Sequence, residues 1–345
     1  MYTTIETTHG LTQEQWEDKL YREYLGEFPL KELMGTDSDA VIQVKEELMK
    51  QVGDAITIGV RAKLTGAGVT GLTRLKDQEE ALNFYDQRIT IDEFRHGVAL
   101  KGKMSQKRVA FDLREQAKEA LTDWNAEKLE NDVITGLTDT SIGRVRGRYL
   151  YGAVDGNWDA THATALTNVD DTADKLTLAM LSLAKRKAEF GTSIKMRPFS
   201  VKAKGLTIAR KYICLAHPLA IRDLKADTTW TTLMQNLIQG GEDQVPTITG
   251  STFLGEYDGI YIYSYDRIPL IASTIQVAHN VLLGAQAAAV VWGEKTTWAE
   301  ELDDYQAEHG FKIGEIRGVS KLVFSRATPE DNGVVNVFSA AVADA

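Results

Sequence analysis

At 345 residues with a formal net charge of −10, the chain can bury one large or two ordinary cores but is poorly suited to dedicated nucleic-acid binding, which needs Lys and Arg to displace counterions. Hydrophobic residues at 43%, charged residues at 26% and only 6 prolines exclude wholesale disorder. The single cysteine, Cys214, excludes an intrachain disulfide and a thiolate metal cluster, and neither the start MYTTIETTHG nor the apolar stretch 281–293 reads as a secretion signal or a membrane span, so a cytoplasmic protein is expected.

The first 50 residues read as an acidic, partly helical arm, because 12–25 and 39–51 (DAVIQVKEELMKQ) have polar starts and apolar residues at helical spacing. Such an arm is too poor in apolar residues to form a core alone, so it should lie against something else. At 65–71, TGAGVTG sets Gly66, Gly68 and Gly71 in G-x-G-x-x-G spacing, which cradles a pyrophosphate when a buried strand leads into it and a helix leaves it. AITIGV precedes, 72–87 can be read as a helix, and Asp92 stands about 20 residues on, where a ribose-binding acid belongs. Against a nucleotide site, Gly59, Arg61 and Lys63 intervene before the first glycine, and no strand-and-helix alternation follows. A flexible glycine loop is the expectation, with an NAD(P)-dependent oxidoreductase as the rival.

Residues 86–100 alternate, Ile89, Ile91 and Phe94 against Arg88, Thr90 and Asp92, as a half-exposed strand or hairpin does. The longest helical signal follows at 105–137, with Ser105 as cap, Gly136 near the stop, and Ala110, Leu113, Ala117, Leu121, Trp124, Leu129, Val133 and Leu137 on one face. At 1.5 Å per residue it would span ~45 Å. Residues 140–170 read as a loop that begins with Arg144, Arg146 and Arg148, and 172–190 as a second helix stopped by Gly191. Nine Lys or Arg against Glu189 alone fill 185–211, among them Lys185, Arg186, Lys187, Lys195, Arg197, Lys202 and Lys204. A buried strand at 212–216, a short helix after Pro218, tyrosine-rich short strands over 246–270 and a buried segment at 280–292 come next. Six acids against Lys295 occupy 294–308, with Glu300, Glu301, Asp303 and Asp304 expected on a solvated helix face, and the chain alternates as strands again after 310.

No chemistry assembles from these residues. The six histidines (9, 96, 162, 217, 279 and 309) show no ligand spacing, and there is neither a G-x-S-x-G elbow nor a G-x-x-x-x-G-K loop, so no catalytic residue, cofactor or metal is assigned.

Taken in order, GAGVTG with L-x-x-x-E-E-A-L after it, YDQRITIDEFRHGV, MSQKR, LTDWNAEKLENDVITGL, YICLAHPLAIRDLKAD with Trp230 beyond it, and HGFKIGEIRGVSKLVF carry a resemblance that covers about residues 50 to 325. The chain resembles the major capsid proteins of tailed bacteriophages, in the subgroup typified by the N-four podophages, which are similar to the Hong Kong 97-type shell fold. The resemblance implies an α+β fold with an N-terminal arm (1–55), a glycine hinge and extended β-hairpin loop (56–104), a peripheral domain (105–216) with a spine helix (105–137), an axial domain (217–295) and a return to the peripheral domain (296–345). It further implies a virion shell subunit without enzymatic activity, assembled in the host cytoplasm into hexamers and pentamers of an icosahedral head around double-stranded DNA. Scaffolding, portal and decoration proteins are the other implied partners, and no membrane is involved. On this view Gly66, Gly68 and Gly71 form a hinge, and Arg144, Arg146, Arg148 and the basic residues from Lys185 to Lys204 face a neighbouring subunit or DNA, with the acidic run 294–308 as the complementary patch. An encapsulin-like compartment shell is the alternative within the same fold.

Overall fold

The computed structural model describes residues 29–49, 53–62, 64, 66–72, 74–101, 107–108, 112–192, 195–203, 206–239, 253–303, 308–324 and 328–344. The helix expected at 12–25 and the Ser105 cap lie outside them. Two compact units emerge, one of Glu93–Leu129 with Lys295–Glu315, the other of Pro29–Asp92, Glu130–Glu294 and Ile316–Ala345.

In chain order the strands are β1 (Met34–Gly35), β2 (Ile42–Lys45), β3 (Ala55–Arg61), β4 (Phe84–Thr90) and β5 (Asp92–Lys101), followed by helix α1 (Leu113–Leu137) and β6 (Tyr149–Tyr151). Helices α2 (His162–Thr167) and α3 (Leu178–Phe190) precede β7 (Phe199–Ala203) and β8 (Leu206–Ala216), and α4 (Pro218–Ala226) and α5 (Thr228–Gln239) precede β9 (Phe253–Tyr257). The remaining strands are β10 (Ile260–Ser264), β11 (Leu270–Ala272), β12 (Gln276–Leu283), β13 (Ala288–Asp303), β14 (Glu308–Lys321), β15 (Val323–Phe324), β16 (Glu330–Asp331) and β17 (Val334–Ala340).

The core of the larger unit is a sheet in the order β6-β17-β12-β8-β10-β9, with β11 on β12 and β7 on β8. Its centre is β12 against β17, antiparallel from Val277↔Ala340 to Leu283↔Val334, and every residue of β17 is buried. Strand parity sorts these side chains. Val335 and Val337 join Leu181, Ala184, Ile221 and Leu224 of α3 and α4 on one face, while Phe338 and Ala340 meet Tyr149, Tyr151 and Leu166 on the other. Burial on both faces explains why 280–292 is so apolar.

Local chemistry fixes the helix starts. Thr177 caps α3 by accepting a hydrogen bond from Met180 N, and the helix begins later than the expected 172 because 170–174 fold into a turn on Asp174. That buried carboxylate accepts bonds from Ala153 N (2.6 Å), Asp170 N (2.8 Å) and Asn157 Nδ2 (3.0 Å). His217 Nδ1 caps α4 at Leu219 N, with Pro218 supplying the preset first turn.

The second sheet runs β1-β2-β13-β14-β5. Here the helix expected at 39–51 is corrected: Ile42–Lys45 pairs in parallel with β13, Ile42 opposite Ala288, and only a 3-10 turn at Glu47–Met49 follows. The short alternation I-Q-V-K was hidden inside a longer helical reading, and burial of Val41 and Ile42 decided the contest. The helix face expected at Glu300, Glu301, Asp303 and Asp304 is likewise corrected as far as Asp303, to which β13 continues as strand.

Helix α1 has 25 residues, ~37 Å, with Ala117 and Leu121 packed on Phe311 and Ile313. Gly136 lies near the stop, as expected, one residue before the end at Leu137, where an added Cβ would stand 3.3 Å from Val319 and 3.7 Å from the Ser320 Cα.

Gly152, at φ +70°, faces Asp174 so closely that a Cβ there would lie 2.1 Å from the carboxyl carbon. Gly152→Ala is therefore expected to destabilise the larger unit by about 2 kcal/mol or more through left-handed strain and loss of the Asp174 turn, read as a lower urea midpoint at unchanged m-value.

Candidate functional site

The glycine motif occupies the connection of an antiparallel hairpin. β3 and β4 pair from Ala55↔Thr90 to Arg61↔Phe84, and 62–83 joins them. Among the described residues no helix follows Gly71, so they do not form the strand-turn-helix that a pyrophosphate requires, and the helical reading of 72–87 is corrected to loop followed by strand. Gly68 and Gly71 hold φ of +70° and +66°, which explains the glycines by backbone conformation. The amide of Gly66 donates to Glu80 Oε2 at 2.6 Å, so an internal carboxylate already takes the donor that a phosphate would need. The three glycines therefore sit within the loop of the hairpin and not between an arm and the hairpin.

The root of this hairpin is fixed. Gln87 Nε2 donates to Lys321 O at 2.8 Å and its Oε1 accepts from Val323 N at 2.7 Å, two bonds that bind β4 to the end of β14 and the start of β15. Ile89 is buried among Ala289, Val291 and Leu322. Toward the far end the side chains turn apolar and exposed, with Leu64, Leu75, Leu82 and Phe84 all more than half accessible and Leu72 fully so.

The basic residues divide by burial. Arg148 is wholly buried, its guanidinium donating to Ala188 O at 3.2 Å, and burial lowers its pKa. Lys187 is buried against Asp155 and donates to Arg146 O at 2.7 Å; its pKa is lowered by desolvation, and its ammonium helps hold the Asp155 carboxyl below its ordinary value. Neither can face a neighbour or DNA, which corrects the expectation for both. Arg144 lies over the Trp158 ring, 4.3 Å from its centroid, and donates to Tyr151 Oη (3.0 Å) and to the carbonyls of Asp159 and Ala160. Arg146 pairs with Asp155 at 2.9 Å, Lys185 with Asp258 at 2.8 Å, and Arg197 with Asp39. Arg186 and Lys195 are exposed and, among the described residues, have no carboxylate partner. The side chain of Lys202 and the whole of Lys204 lie outside the description.

A buried polar centre was not foreseen. Lys321 Nζ meets Asp331 Oδ1 at 2.8 Å and Tyr149 Oη at 3.1 Å, with both charged side chains at zero exposure. Asn336 Nδ2 donates to Asp331 Oδ2 at 3.1 Å, and its Oδ1 lies 2.8 Å from His279 Nε2. Burial pushes His279 down to about 3, so the ring is neutral, and pushes Asp331 up to about 6. The signal in the sequence was polar residues amid strand apolars, His279, Asn280, Asn336 and Ser339, where unsatisfied groups would be too costly to keep. This arrangement ties strands together; it exposes no group to a substrate. Cys214 is buried, its thiol pushed up to about 12 and thus unreactive. Among the described residues, no cluster of three His, Cys, Asp or Glu is placed to hold a metal, and no helix is long and apolar enough to cross a membrane.

Comparison with known proteins points the same way. A family described as phage capsid protein matches residues 4–343. The chain is 24% identical to the major capsid protein of Pseudomonas phage KPP25, with 96% of each covered. Its fold is similar to the capsid of cyanophage Pam1 (TM-score 0.85, 22% identity, all of both chains) and to that of Ralstonia phage GP4 (TM-score 0.77, 23% identity, all of both chains).

The polar centre yields a pH prediction. Asp331 binds its proton more tightly when folded (about 6) than when unfolded (~4), so its contribution is fully present below ~4 and is lost as pH rises through about 6. Asp331→Asn is expected to flatten the fall in urea midpoint across that window. Lys321→Met, which strands a buried carboxylate, is expected to cost about 3–5 kcal/mol at neutral pH and less in acid.

Proposed function

The chain belongs to the phage capsid protein family, and from that premise we propose that the β3–β4 hairpin is the arm by which one shell subunit holds the next. The protein is a phage major capsid protein, a component of the icosahedral virion shell, with the α+β Hong Kong 97-like fold. The observation that supports the hairpin's role is its asymmetry: a root clamped by Gln87 and a far end carrying Leu64, Leu72, Leu75, Leu82 and Phe84 in the open. A lone soluble protein gains nothing from apolar side chains projected on a long loop, whereas covering each against a partner is worth ~1.5–3 kcal/mol.

The partner is a second copy of the chain. Heterologous contacts between identical subunits close into rings, here hexamers and pentamers, and rings tile a shell, so modest contacts repeated many times give a stable particle. Gly68 and Gly71 give the loop backbone states other residues resist, which suits one sequence that docks in two ring geometries. We assign the chain to the N-four-like subgroup on the order of its sequence motifs. Enclosed double-stranded DNA, with scaffolding, portal and decoration proteins as helpers, completes the proposal.

Replacing 64–82 by a two-residue Asn-Gly turn should leave the chain folded, with wild-type far-ultraviolet dichroism and melting, yet abolish shells in size-exclusion chromatography and negative-stain microscopy. Shells of normal size from this variant would remove the hairpin from assembly.

A further inference from the structure

Residues 153–162 form a strap whose Trp158 packs on Tyr149 and Tyr151 of β6 and Phe338 of β17, in the small core these share with Ala165, Leu166 and Val169. The start of the strap is anchored, Ala153 N donating to Asp174 Oδ1 at 2.6 Å. Its far end is held by Arg144 and His162. The Arg144 guanidinium lies over Trp158 and donates to the carbonyls of Asp159 (2.6 Å) and Ala160, while its Nε donates to Tyr151 Oη at 3.0 Å. Tyr151 Oη also lies 2.7 Å from His162 Nδ1. With Arg144 already donating to the phenol oxygen, the phenol proton is free to fill the bond to His162, which then needs Nδ1 without a hydrogen. A protonated ring would instead aim a second cationic donor at the same oxygen, beside the guanidinium, and take the acceptor away from the phenol.

The groups around His162 do little to support a positive ring. Arg144 is itself a cation, and Tyr149 and Tyr151 on β6 stay neutral because burial raises both phenols. His279 on β12, on the other side of Phe338, is neutral too, with ring separations of 5.3 Å from His162 to Phe338 and 4.3 Å from Phe338 to His279. Asp159, on the strap, accepts from Thr161 N at 2.6 Å. We propose that His162 is an acid-released latch: in mild acid it takes a proton, breaks from Tyr151, and lets the strap 153–162 lift from the aromatic face of β6 and β17. The inference concerns the folded subunit and does not depend on the hairpin contact. Burial, and then Arg144, make the folded ring hold its proton less tightly than the unfolded one (~6.5), so the latch contributes fully above about pH 6.5 and is lost as pH falls below it. Asp331 acts in the opposite sense, its contribution being lost as pH rises, so a local measurement is needed to tell the two apart.

Backbone hydrogen exchange of residues 153–162 tests it, read by mass spectrometry on the full chain and corrected for the intrinsic pH dependence of exchange. Between about pH 7.5 and about pH 5.5 protection of the strap should fall several-fold, with about ten-fold per pH unit as the ceiling for one proton, while β12 and β17 stay protected. His162→Gln offers an oxygen that accepts from Tyr151 and does not titrate, so this variant should keep the strap closed at both pH values. Strap protection that does not change with pH in the wild type overturns the latch. So does a His162→Gln variant that keeps the wild-type pH response, because the effect would then belong to His279 or Asp331. If the glutamine leaves the strap open at both pH values, deuterium exchange at the His162 ring C2 position in the wild-type chain decides. A ring that titrates together with the loss of strap protection upholds the latch, and a ring that titrates while the strap stays closed overturns it.

Discussion

The ion pair between Lys321 and Asp331 is the constraint on which the larger unit turns. Two charges with no exposure are costly to desolvate, and the pair is supported by hydrogen bonds from Lys321 to Tyr149 and from Asn336 to Asp331, with His279 behind Asn336. Its members come from β14, β16, β6, β17 and β12, so the network can form only when the end of one sheet has found the middle of the other. Apolar packing between these strands tolerates small slips. A buried charge does not, since a shift of one residue would leave it unpaired.

Lys321 does two things at once. Its ammonium closes the polar centre, while its carbonyl accepts the hydrogen bond from Gln87 that roots the β3–β4 hairpin. Leu322, the next residue, donates from its backbone to Ala287 O and packs with Ile89. The hairpin thus emerges from the most tightly specified part of the unit. Its backbone freedom is concentrated beyond the paired strands, where Gly68 and Gly71 take positive φ. A hairpin stiff at its base and adaptable toward its end suits the intersubunit contact proposed for it, since it fixes where a contact is offered while tolerating a change of angle.

How much of this was legible in the sequence follows from the range of the forces involved. Elements fixed by their own periodicity could be read: α1, α3 apart from its start, the buried strand through Cys214 and the alternating strands after Gly310. Elements decided by distant partners could not. Residues 42–45 are strand because β13 lies beside them, and the 294–303 acids are strand because β13 extends through them, two long-range pairings that outweigh local propensity. The glycine fingerprint misleads for a related reason: its spacing records three permissive backbone positions, and only the element that follows says whether they hold a phosphate or turn a hairpin.

The basic run shows the same limit at the scale of single residues. Lys185, Arg186 and Lys187 are consecutive on α3, so the helix turns them by about 100° each and sends them to three environments. Lys185 reaches the Asp258–Gly259 turn, whose two positive φ values join β9 to β10. Lys187 goes inward to Asp155, and Arg186 is left in solvent. Charge counted along the sequence therefore overstates what a partner meets. Among the described residues of the run, internal carboxylates engage Lys185, Lys187, Arg197 and Lys211, which leaves far less free charge than nine Lys and Arg in the sequence suggest.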